Sequence, residues 1–155
     1  MMPLYFCGTE SAVALAAATA KTVVGVKAHA NSGLYVAEYK ISFDGVTASA
    51  VPVLVEFCYA TFATNSPGTN STSTTPRQLG GRSLTAGFTA AKNWSAEPTV
   101  LTVIEEHLLT PNGGLYVYQY PLGYEPDAAL AEGFALRLTA PAIVNCRGGI
   151  KVGRC

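Results

Sequence analysis

The chain is short of charge. Only 13% of its 155 residues are Asp, Glu, Lys or Arg, where a typical soluble domain carries about 25%. Ten basic and ten acidic side chains cancel to a formal net charge of zero. A free monomer normally keeps its net charge away from zero, so this surface reads as one largely covered by partners. The shortage also argues against nucleic acid as a partner, because that needs a basic patch. The densest basic group, Arg147, Lys151 and Arg154, is too thin to serve.

The residue types of catalysis and metal binding are scarce too. There are two histidines, His29 and His107, too few and too far apart for a barrel-buried metal centre. The four cysteines, Cys7, Cys58, Cys146 and Cys155, show no zinc-ligand spacing. Cys58 and Cys146 sit in strand-like runs and read as small core residues. Cys7 and Cys155 lie near the termini, and a disulfide between them is disfavoured. No Gly-x-Ser-x-Gly elbow is present. The pairs Gly80-Gly81, Gly113-Gly114 and Gly148-Gly149 read as turns, not as a phosphate loop. Glu105-Glu106-His107 is the one acid–histidine run. A strand would turn Glu106 away from Glu105 and His107, so it reads as a solvated strand face. Glu125 and Asp127 fall in a turn-like segment and read as surface loop. The expectation is a chain that is not an enzyme, with no catalytic residues, metal or cofactor.

Long apolar runs are missing as well. None reaches the 18 or so residues of a membrane span, and no membrane partner is expected. Ser11–Ala20 has the composition of a signal-peptide centre. However, no Lys or Arg precedes Lys21, and Glu10 stands where a positive charge belongs. Secretion is not expected.

What is present is alternation with a period of two. In Gly33–Phe43, Tyr35, Ala37, Tyr39, Ile41 and Phe43 fall on one face, and Leu34, Val36, Glu38, Lys40 and Ser42 on the other. Asp44-Gly45 follows as a turn signal. In Val53–Ala63, Val53, Val55, Phe57, Tyr59 and Thr61 point one way and Glu56 the other. Lys21–Ala28, Thr99–Leu109, Leu115–Tyr120, Gly133–Ala140, Ala142–Arg147 and Gly149–Val152 follow the same grammar. These runs predict an all-β antiparallel sandwich of about eight strands, with the jelly roll the architecture that best fits the count. Residues 1–20 read as an N-terminal arm or a first strand. Residues 21–155 read as one sandwich domain with a long loop over 64–99.

That loop opens with Thr64–Thr75, TNSPGTNSTSTT, made only of Thr, Ser, Asn, Pro and Gly. It has too little apolar surface to fold alone. Neither flank has enough strands to close a sandwich, so the stretch is an insertion and not a linker. Ser83–Ala91 is the place in the loop for a hidden short strand. The expectation is that Asn65, Pro67 and Asn70 lie against another chain. Two aromatic features join them as candidate contacts. Tyr116, Tyr118 and Tyr120 share one strand face and suit either core packing or a subunit interface. Trp94, the lone tryptophan, either plugs the end of the sandwich or anchors a contact.

The order of these elements resembles the minor capsid or head-decoration proteins of tailed bacteriophages, which have a jelly-roll fold. The resemblance runs through KTVVGVKAHANSGLYVAEYKISFDGV, PVLVEFCYATF and the Ser/Thr/Gly/Pro loop. It continues through NWSAEPTVL, PNGGLYVYQYPLG and GFALRLTAPAIVNCRGGIKV, and covers roughly Lys21–Val152. It implies a virion structural protein on the capsid exterior, a homo-oligomer with the trimer favoured, bound to the major capsid protein and stabilising the shell. The alternative is a receptor-binding or carbohydrate-binding jelly-roll module of a phage tail. MMPLYFCGTE and the end cysteines have no counterpart in the resemblance.

Overall fold

The computed structural model describes residues 3–44, 51–80 and 82–155. Among them are thirteen strands. They are β1 (Leu4–Gly8), β2 (Val13–Leu15), β3 (Ala20–Lys27), β4 (Leu34–Asp44), β5 (Val53–Ala60), β6 (Thr72–Thr74) and β7 (Arg77–Leu79). The rest are β8 (Thr89–Lys92), β9 (Leu101–Leu109), β10 (Tyr116–Gln119), β11 (Asp127–Ala128), β12 (Gly133–Thr139) and β13 (Val144–Arg154). The first sheet runs β10-β4-β13-β1-β7, with β11 beside β4 and β2 beside β13. The second runs β6-β8-β3-β12-β5-β9. Both are antiparallel, and they pack face to face as a β-sandwich.

The excess over eight strands comes from short ones. Ala142–Arg147 and Gly149–Val152 join as β13 through Gly148, while β1, β2, β6, β7, β8 and β11 are each five residues or fewer. A strand that short shows too few alternations to stand out. Within the N-terminal stretch, Leu4–Gly8 is a strand that pairs with both β13 and β7 and buries Tyr5 and Cys7. The hidden strand in the loop begins at Thr89, so only the end of Ser83–Ala91 takes part. The Asp44-Gly45 turn lies partly outside the described residues.

The facing of β4 departs from strict alternation. Lys151 pairs with Glu38 and the next residue, Val152, pairs with Val36, so Ala37 is an extra residue in β4. Such a bulge reverses the side of every residue beyond it. Leu34 and Val36 therefore turn into the core, as do Tyr39 and Ile41 after the bulge, while Tyr35 stands on the outer face. Between the sheets Tyr39 stacks on Phe57 at 4.8 Å and Phe57 on Phe134 at 5.4 Å. Ile41, Val55, Leu136, Leu138 and Ile150 fill the space around them.

A second, smaller cluster lies on the outer side of the second sheet. Ala60, Ala91 and Ala135 make a pad on which Phe62 and Trp94 lie, with Leu101 at the rim. Gly25 leaves room for the indole: a Cβ there would come 2.8 Å from Trp94 Cη2. Phe62 and Trp94 thus form a cover over this sheet, carried by the segment between β5 and β9. Within that segment β6 belongs to the second sheet and β7 to the first. Only Thr75 and Pro76 separate them, and the crossing closes that side of the sandwich.

Candidate functional site at the open edge

The insertion, expected to lie against another chain, makes many hydrogen bonds within its own. Trp94 is 1% exposed and its Nε1–H donates to the Asn65 carbonyl at 2.7 Å. Asn65 Nδ2 donates to the Glu97 carbonyl at 2.9 Å, and Asn70 Nδ2 to Asn65 Oδ1 at 2.8 Å. The Ser95 amide donates to the Asn70 carbonyl at 2.8 Å. Asn65, Asn70 and Gly68 take the left-handed backbone, at φ of 52°, 51° and 94°, the conformation Gly and Asn tolerate best. Pro67 is half-buried beside Ser66, lining a surface hollow with His29 and Phe88. The hydroxyl-rich stretch is therefore polar because it caps its own turns. Trp94 is the plug and not a contact anchor.

The tyrosine ladder faces inward. Tyr118 stacks on Tyr39 at 5.5 Å, Tyr116 and Tyr120 lie 6.4 and 6.3 Å from the same ring, and Tyr120 is buried. This is the core-packing reading, at the side of the sandwich where β10 and β9 end the two sheets. Across that gap β9 contributes Glu105 and His107. The Tyr39 hydroxyl donates to Glu105 Oε2 at 3.1 Å and lies 2.8 Å from His107 Nε2. One hydroxyl hydrogen serves one acceptor, so His107 Nε2–H donating to the Tyr39 oxygen satisfies all three groups. Burial, with the Glu105 charge beside it, holds the Tyr39 and Tyr120 phenols well above the ordinary tyrosine range. The same causes raise Tyr116.

The cluster was missed in the sequence because Tyr39 is sixty-eight positions from His107. The shared face of Glu105 and His107 was its one local signal. It pins the edge strand β9 to the opposite sheet. Among the described residues no group of three His, Cys, Asp or Glu gathers to hold a metal ion. No helix of the described residues is long and apolar enough to cross a membrane. The cysteines are all free, and burial pushes the Cys7, Cys58 and Cys146 thiols up to about 12. Cys155 is exposed and unpaired.

Outside the tyrosine cluster the same side is open. Among the described residues β9 pairs only with β5, and β10 only with β4. Neither Lys nor Pro interrupts the nine residues of β9, although such residues commonly blunt a free strand edge. Instead Val103, Ile104 and Leu108 are exposed along it, with Val100 just before. Leu115 and Val117 are exposed on and beside β10. A second bulge, at Ile104 opposite Phe57 and Cys58, gives β9 its mixed facing. Val100 adopts φ 56°, a conformation that β-branched residues seldom take.

No protein-family model, curated protein or solved structure matches this chain.

Proposed function

We propose that the chain is a non-enzymatic structural subunit that works by association. The surface it joins is the exterior of a virion capsid, where it binds the major capsid protein as a decoration or minor capsid subunit and stabilises the shell. The observation that carries the reading is the open edge: a nine-residue strand with one free side and a row of exposed apolar side chains. A free strand edge flanked by exposed apolar side chains is a template for pairing with another chain. The capsid as the site of assembly follows from the resemblance over Lys21–Val152. A homo-oligomer accords with the low charge and zero net charge. The test is sedimentation of purified protein, with and without empty capsid shells. Association with itself and saturable binding to shells are expected. A chain that stays monomeric at high concentration and ignores shells overturns the reading.

A further inference from the structure

The open side carries a projection and, around the corner, a groove of opposite character. On β9, Glu106 and Leu108 stand on the outer face of the second sheet, opposite Glu56 and Leu54. Leu108 is 69% exposed. Glu56 is bound to Arg137 at 2.8 Å, whereas Glu106 has no cation partner among the described residues. The projection is thus a leucine beside a spare carboxylate.

The groove lies on the outer face of the first sheet and encloses about 220 Å³. The register places Val117 of β10 next to Lys40 of β4, and Lys40 next to Gly149 of β13. Gly149 and Gly8 let the Phe6 ring lie down on the sheet: a Cβ at Gly149 would collide with it, and one at Gly8 would come 2.7 Å from Cε1. The Lys40 ammonium rests over that ring, 4.4 Å from its centre. Arg147 lines the same groove two residue pairs further along, opposite Ser42. Neither Lys40 nor Arg147 meets a carboxylate in an ion pair among the described residues. Glu10, which also lines the groove, accepts the Thr75 amide at 3.1 Å. Leu115 forms an apolar wall.

We propose that a second copy of this chain fills the groove, its Leu108 against Leu115 and Phe6 and its Glu106 between Lys40 and Arg147. The inference rests on the assembly reading above and names its contact. Apolar surface meets apolar surface, and the spare anion meets spare cations, the complementarity that fixes register and excludes wrong partners. The projection and the groove belong to different sheets, so one copy can use both at once. The contact is then head-to-tail, and such contacts build rings where the rotation closes.

The test is analytical ultracentrifugation of the full chain and its charge reversals. Glu106→Lys and Lys40→Glu each should weaken self-association by at least about a hundredfold, since like charges then meet. The double variant should recover it. Arg147→Glu, at an exposed position, repeats the test should Lys40→Glu disturb folding. Wild-type protein that assembles while every reversal leaves its sedimentation unchanged overturns this contact and leaves the assembly reading standing. A wild-type chain that neither self-associates nor binds shells overturns both.

Discussion

Two regions of this molecule offer themselves as contact surfaces, and they behave in opposite ways. The loop between β5 and β9 is polar, turn-rich and long, yet Asn65, Asn70, Trp94 and Ser95 bond to one another within it. The open edge at β9 and β10 looks like ordinary strand, yet it keeps a free side and exposed Val103, Ile104 and Leu108. Polar composition marks where a backbone must turn. Unmatched apolar surface marks where another molecule can gain by docking.

The contrast can be broken most severely at the cover. Trp94→Ala should cost about 3–5 kcal/mol, because it removes a buried indole and leaves a cavity. Chemical denaturation measures this, and self-association should follow only as far as folding does. A Trp94→Ala protein of wild-type stability would show that the cover is not part of the fold. Asn65→Ala is the milder version. It removes the side-chain bond to the Glu97 carbonyl and strains a left-handed position, for a loss of about 1–3 kcal/mol.

The edge should answer differently. Leu108→Glu should leave the unfolding free energy within the range of a surface change, about 0.5 kcal/mol, while abolishing association in sedimentation. Loss of stability without loss of association would reverse the assignment of the two regions. Behind the edge, the tyrosine cluster gives a pH signature. The folded state raises the Tyr39, Tyr116 and Tyr120 phenols above their unfolded value of about 10. Their protonated forms therefore favour the native state below that pH, and this stabilisation is lost as pH rises towards their folded values. Alkaline titration of phenolate absorbance should show the other tyrosines ionising first, with these three delayed until the fold opens. The smallest effect is at Val100. Val100→Gly relieves a strained φ of 56° and should raise stability by about 1 kcal/mol.

The sequence made the sandwich legible wherever a strand was long enough to alternate several times, as in Val53–Ala60 and Gly133–Thr139. It misled at Leu34–Asp44, because a single extra residue at Ala37 reverses the facing and leaves no mark in composition. The short strands at Leu4–Gly8 and Thr72–Thr74 exist only because neighbours supply their hydrogen bonds. The candidate site was half legible. The inward pull of the tyrosines was one of two readings, and the Glu105–His107 face was visible. Tyr39 joins them only through the pairing of distant strands, and the groove beneath Lys40 depends on Gly149 of β13 meeting the Phe6 ring of β1.

The position of β13 has a consequence for synthesis. Val144–Arg154 is the neighbour of β1, β2 and β4 together. Until those residues leave the ribosome, the first sheet lacks its middle, and strands made early wait with bare backbone and apolar faces. Pairings that span so much sequence close slowly. The nascent chain is thus most vulnerable to aggregation just before β13 emerges, and that window lengthens with every pause in translation upstream of Val144.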